Sequence, residues 1–127
     1  MSRREGAFRV PIEIAALTRD RFDRMEALVD TGASHTSWPR DRLQRLGMQP
    51  EETWPFELAD GSEAIYETAW ARVRIAGRTH PTIVVFGDPG SEPLLRASTL
   101  EGFHLAVDPV AQRLVPVRAL LRELVTV

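Results

Sequence analysis

Apolar residues recur at every second position along several short runs of this chain, the period of β-strands that bury one face. Phe8, Val10, Ile12 and Ile14 alternate with Arg9, Pro11 and Glu13. Pro11 has no N–H to give a neighbouring strand, which predicts an edge position there. Ala71, Val73 and Ile75 alternate against Trp70, Arg72 and Arg74, with a turn at Gly77-Arg78 and a more continuously apolar strand from Thr82 to Phe86. Phe56-Glu57-Leu58 and Ala64-Ile65-Tyr66 flank the turn residues Asp60-Gly61-Ser62 and predict a projecting hairpin. Leu105-Ala106-Val107 and Leu114-Val115 predict another around Asp108-Pro109 and Gln112-Arg113.

Helical signals are few and short. Ser37 is a candidate cap for about two turns, with Pro39 in the first turn, Leu43 and Leu46 on one face and Gly47 as the stop. After the loop Asp88 to Pro93 and the pair Leu94-Leu95, a second short helix is predicted from Thr99 to Gly102. In the tail, Leu120, Leu121, Leu124 and Val125 fit a helix face, while Val125 and Val127 alternate as a strand would; both readings stay open. The expected architecture is all-β, a small closed or sandwiched sheet with one or two short helices. Residues 1–127 are expected to form a single domain, long enough to bury its own core.

Composition removes whole classes of chemistry. Cysteine is absent, which excludes disulfides, thiolate metal sites and cysteine nucleophiles. All 16 basic side chains are Arg, so Schiff-base chemistry and a P-loop lysine are excluded as well. A net charge of −2 and a pI near 5.9 argue against nucleic acid as a partner. No apolar run approaches membrane-spanning length and the start of the chain is polar, which predicts no membrane partner and a cytoplasmic location. His35, His80 and His104 lack paired metal-ligand spacing, and neither a metal nor a cofactor is expected. Arg40, Arg42 and Arg45, interrupted by Asp41, read as a solvated helix face, and Trp38, Trp54 and Trp70 divide between packing, the more common use of large aromatics, and a binding groove.

The run Ala27-Leu28-Val29 ends in Asp30-Thr31-Gly32-Ala33-Ser34. A carboxylate at the exit of an apolar strand can accept a proton from water; a neighbouring hydroxyl can fix the loop, and glycine lets backbone approach without a Cβ. Asp-Thr-Gly alone is also an ordinary turn sequence. Ser34, His35 and Asp30 are the residue types of a serine hydrolase, but sequence neighbours seldom form the required relay and no nucleophile elbow surrounds Ser34.

The whole segment from Ala27 to Ser34 resembles the catalytic segment of retropepsin-like aspartic peptidases, and the resemblance continues through the hairpin at Leu58 to Tyr66, the pair Leu94-Leu95, the helix at Thr99 to Gly102 and the strand pair ending at Val117. It implies the retropepsin-like acid-protease fold with one half-site per chain. It also implies a homodimer that hydrolyses a peptide or protein substrate through water held between two copies of Asp30. By the same resemblance Thr31 holds the opposing active-site loop, Gly32 permits its approach and Ala33 packs beneath it. Ala59, Asp60, Gly61 and Ser62 become the tip of a substrate-covering flap. Asp60 and Asp88 supply no second motif, so a complete pair requires a second chain.

One departure stands out. The family pattern places glycine after the second apolar pair, where this chain has Leu94-Leu95-Arg96-Ala97-Ser98. Arg96 is expected either to distort the region supporting Asp30 or to turn outward toward a carboxylate. The alternative function is therefore a catalytically weak or inactive homodimeric module that binds peptides.

Overall fold

The computed structural model describes residues 7–117; the two readings of the tail fall outside them. Nine strands and two six-residue helices follow one another among the described residues: β1 (Arg9–Ala16), β2 (Asp23–Val29), β3 (Thr36–Pro39), α1 (Arg40–Arg45), β4 (Glu52–Glu57), β5 (Glu63–Ile75), β6 (Arg78–Gly87), β7 (Leu94–Leu95), α2 (Ala97–Gly102), β8 (Leu105–Asp108) and β9 (Arg113–Pro116). The main sheet runs β1-β2-β7-β3-β6-β5-β4, and β1 also pairs with β5, which closes six strands into a barrel with β4 outside it. The separate hairpin β8-β9 is the final strand pair expected from the sequence.

The alternation of β1 places Ile12 and Ile14 in the interior, where they meet Ala27, Val29, Trp38, Ala71, Val73, Val84, Phe86, Leu95, Leu100 and Phe103 in one core. β1 is paired with β2 through Arg9–Ile14 but with β5 only through Glu13–Ala16. Pro11 thus lies in the half of the strand that has a neighbour on one side only. A proline is tolerated there because no second strand seeks its missing N–H.

β5 is one strand where the sequence reads as two hairpin arms. Its first part pairs with β4 through Glu63–Thr68, and its second with β6 through Thr68–Ile75. The hairpin beyond the barrel is therefore an extension of the barrel wall. At the other end, Ile75 and Arg78 are partners, and the two residues between them, Ala76 and Gly77, have φ of 51° and 82°. Two successive left-handed residues give the type I′ turn, whose twist matches that of the strands it joins.

Two readings are corrected. Ser37 does not cap a helix: it lies within β3, which runs parallel to β6 and antiparallel to β7, and all four residues of that strand are buried. The helix starts at Arg40, capped by Pro39 with φ −58° and ψ 132° and without a side-chain hydrogen bond. Its stop holds, since Gly47 has φ 79° and its N–H donates to the Gln44 carbonyl. The tryptophans divide: Trp38 is fully buried and donates from Nε1 to Asp23, whereas Trp54 and Trp70 are about half exposed. The helix arginines are ion-paired, Arg40 with Glu67, Arg42 with Asp23 and Arg45 with Asp41.

Candidate active site

Asp30 is carried by the end of β2, where Ala27, Leu28 and Val29 are all buried. The backbone there is held from both sides. Val29 N–H donates to the Phe8 carbonyl at 3.0 Å, Leu28 N–H to Pro93 at 3.0 Å and Asp30 N–H to Leu95 at 2.9 Å. Beyond this anchorage the chain leaves the sheet, and the Asp30 side chain is 39% exposed. Its Oδ1 accepts the Gly32 N–H at 3.1 Å, a short loop contact that orients the carboxylate.

The loop after Asp30 rests on the segment that follows β7. Ala97 N–H donates to the Ala33 carbonyl at 3.3 Å and Ser98 N–H to Ser34 at 2.9 Å. Arg96 N–H donates to Thr36 Oγ1 at 3.1 Å; that hydroxyl meets Thr99 Oγ1 at 2.6 Å, which meets Thr82 Oγ1 at 3.1 Å. Three buried threonines thus tie the β7–α2 junction to β3 and β6, and no water is needed to satisfy them.

Asp30, Gly32 and Ala33 line a cleft of about 560 Å³, and Thr31 stands exposed beside them. The opposite wall comes from the β4–β5 hairpin, which contributes Phe56, Glu57, Leu58, Ala59 and Tyr66. His35 meets the Phe56 ring edge-on at 5.4 Å, and Phe56 meets Tyr66 at 6.0 Å, so an aromatic series joins the Asp30 loop to the hairpin. Of the four expected tip residues, Ala59 lines the cleft, while Asp60, Gly61 and Ser62 form the exposed turn beyond it. The turn is closed by Leu58 N–H to the Ser62 carbonyl at 2.7 Å. Asp60 Oδ1 accepts both the hydroxyl and the N–H of Ser62, and these bonds, the hydroxyl first, hold the Asp60 carboxyl below its usual range. Asp60 is a turn carboxylate.

Arg96 pairs with a carboxylate, as one of the two expectations had it, but inward rather than outward. The loop is not displaced, because the backbone bonds from Leu95, Ala97 and Ser98 are all in place. Nor does the side chain leave the cleft: Nη1 donates to the His35 carbonyl at 3.2 Å, and Nε lies 3.6 Å from Asp30 Oδ2. Nε is buried without a hydrogen bond. Ser34 Oγ and His35 Nδ1 do meet, at 2.7 Å, but Asp30 is engaged by Gly32 and Arg96, so no serine-hydrolase relay forms. Sequence reasoning flagged Arg96, named His35 only for a serine-hydrolase relay, gave Phe56 and Tyr66 no more than a place in the hairpin, and missed Thr36. Phe56 and Tyr66 had a signal in the two hairpin arms; Thr36 had none.

Residues 21–101 match the family described as gag-polyprotein putative aspartyl protease. No curated protein matches the chain. Among solved structures it is similar to the simian foamy virus (mac) protease in solution, with a TM-score of 0.52 and 22% identity over 73% of this chain and 93% of that one. At that identity the likeness concerns the fold.

Proposed function

The chain belongs to the gag-polyprotein putative aspartyl protease family, and on that premise we propose that it is an aspartic endopeptidase acting as a homodimer, with one Asp30 from each chain holding the attacking water. The observation that carries this reading is the delivery of Asp30, half-exposed, to a cleft roofed by a hairpin, from a strand end anchored on both sides. Two carboxylates brought together across a two-fold axis do not readily both ionise, so the pair retains one proton. The charged member takes a proton from water while the protonated one polarises the scissile carbonyl. Neither role belongs to one copy in advance.

Gly32 supports the shared site. Its φ is not among the positive values, and within one chain a Cβ there would meet only Asp30 Oδ1 at 3.4 Å, an ordinary contact. A glycine needed by neither its own backbone nor its own chain is consistent with close approach by a second chain. Thr31, exposed beside it, is suitably placed to bond that opposing loop. The flap from Leu58 to Ser62 covers an extended peptide, with the cleft-lining aromatics Phe56 and Tyr66 against its side chains.

Asp30→Asn tests the proposal. The amide keeps the shape but cannot act as the ionisable base, so cleavage of a diverse peptide library falls by several orders of magnitude while the fold is retained. Activity is expected to follow the dimer fraction that sedimentation across concentration measures. Unchanged cleavage by Asp30→Asn, or full activity of a monomer, overturns it. The Arg96–Asp30 contact favours a second reading, a dimer that binds peptides with little turnover, and binding without cleavage distinguishes it.

A further inference from the structure

We infer that the cleft takes a basic peptide: an extended segment whose arginine or lysine side chains lie between Glu57 on the hairpin and Asp88 on the loop after β6. The inference rests on the peptidase reading and deepens it by naming the substrate class of that site. Between Arg45 and Arg72 the chain carries six acidic side chains and no basic one. This stretch contains the β4–β5 hairpin that roofs the cleft. Three of the six are occupied locally: Glu67 pairs with Arg40, Glu51 accepts the Trp70 N–H, and Asp60 holds the turn through Ser62. Glu52, Glu57 and Glu63 have no side-chain partner among the described residues, and Glu57 sits directly opposite Glu63 in the strand register. Like charges so placed repel, and a cation beside them relieves the repulsion.

Of these three, Glu57 lines the cleft, and the loop after β6 adds Asp88 and Glu92 to its lining, both exposed. Glu92 is committed to Arg9, so the inference stands on Glu57 and Asp88, whose carboxylates have no partner among the described residues. The cations on the cleft do not offset them. Arg96 places Nε 3.6 Å from Asp30 Oδ2 and Nη1 on the His35 carbonyl, while the His35 ring meets Ser34 Oγ and Phe56. Nor do these groups gather around one ion: among the described residues no three carboxylates or histidines converge as metal ligands would. The charge is spread along two walls, which suits a chain lying along the cleft. Between the walls, Phe56 and Tyr66 offer aromatic faces on which a guanidinium or the stem of a lysine packs. In the proposed dimer each wall occurs twice, so both copies of Glu57 and Asp88 border one peptide. Complementary charge of this kind selects the partner and speeds its encounter.

Matched peptides test this, each made with arginine, with its neutral isostere citrulline, and with glutamate at the same positions. Within each protein the readout is the ratio of kcat/KM for the arginine peptide to that for its citrulline twin, at matched dimer fraction. The parent is expected to favour arginine by about tenfold at low salt, and the ratio shrinks as added salt screens the walls. Glu57→Gln combined with Asp88→Asn brings the ratio close to unity, mainly through KM, and Glu57→Arg turns the preference toward the glutamate peptides. Glu26→Gln, an equal change of charge at an exposed position of β2 outside the cleft lining, leaves the ratio as in the parent. A parent ratio close to unity, or one unmoved by the double substitution, overturns the inference. The same fall in Glu26→Gln would make it an effect of overall charge and overturn it as well. If no peptide is cleaved, the peptidase reading falls, and fluorescence anisotropy with the labelled peptides decides the rest. Arginine peptides bound more tightly than their citrulline twins, with the preference lost in the double variant, sustain the basic-peptide site; equal or absent binding refutes it.

Discussion

Replacing Thr36 by Val isolates the hydroxyl that joins the β7–α2 junction to the barrel. The two side chains have nearly the same shape, and β-branched Val suits a strand at least as well as Thr. Thr36 is 0% exposed and Thr99 is 1% exposed, so water cannot take the place of the lost group without opening the core. Two contacts go: the 3.1 Å bond that accepts Arg96 N–H and the 2.6 Å contact with Thr99 Oγ1. The losses are unequal. Thr99 keeps Thr82 at 3.1 Å, whereas no second acceptor is paired with Arg96 N–H. An orphaned donor costs about 1–3 kcal/mol and a net hydrogen bond about 0.5–1.5 kcal/mol, which together give a loss of about 2–4 kcal/mol. With a urea m-value of about 2 kcal/mol/M, the midpoint falls by about 1–2 M. The control is Thr82→Val, which removes the longer contact while leaving Thr99 paired to Thr36, and so costs about 1 kcal/mol. Urea unfolding followed by tryptophan fluorescence reads both, at one fixed chain concentration because association adds to apparent stability. A loss below about 0.5 kcal/mol for Thr36→Val, or a larger loss for Thr82→Val, refutes the hierarchy.

Two further outcomes are expected. Phe56→Ala removes the ring between His35 and Tyr66; KM for peptides rises several-fold more than kcat falls, and an unchanged KM would take Phe56 out of the substrate wall. The Arg74 guanidinium, chiefly through its hydrogen bonds, holds the Glu13 carboxyl below its usual range. A depressed carboxyl stabilises the fold above its unfolded value near about pH 4.3, and that contribution fades as pH falls through the lower folded value. Glu13→Gln is therefore less stable than the parent at pH 7, and the gap narrows toward pH 3 in urea titrations. A pH-independent gap contradicts the linkage.

Strands with one buried face were legible because their period is local. Ile12 and Ile14 in β1, and Val73 and Ile75 in β5, lie inside as their spacing requires. β3 escaped because it does not alternate: Thr36, Ser37, Trp38 and Pro39 are all buried, as befits a wall strand between β6 and β7 with both helices beside it. Ser37 and Pro39 also imitate a helix start, and only tertiary pairing overrides that signal. The unbroken run of β5 was visible in principle, since no turn residue separates Tyr66 from Trp70. The threonine chain was not: Thr36, Thr82 and Thr99 are 46 and 17 residues apart by their positions, and nothing local marks hydroxyls that meet only after the barrel closes.

Arg96 shows a limit of a different kind. A glycine in a sequence pattern is readily taken as a conformational requirement, and on that reasoning a long side chain there should push the Asp30 loop aside. The extended backbone at this position removes the premise, because any residue adopts it. The α2 start, the Thr36 bond and the Leu95 bond all form with arginine at this position. The guanidinium then has to find an acceptor inside a protein wall. The His35 carbonyl satisfies Nη1, and the carboxylate nearest Nε is Asp30. The consequence of the substitution thus moves from geometry to charge: the fold tolerates arginine here by setting its cation against the one carboxylate on which the proposed chemistry depends.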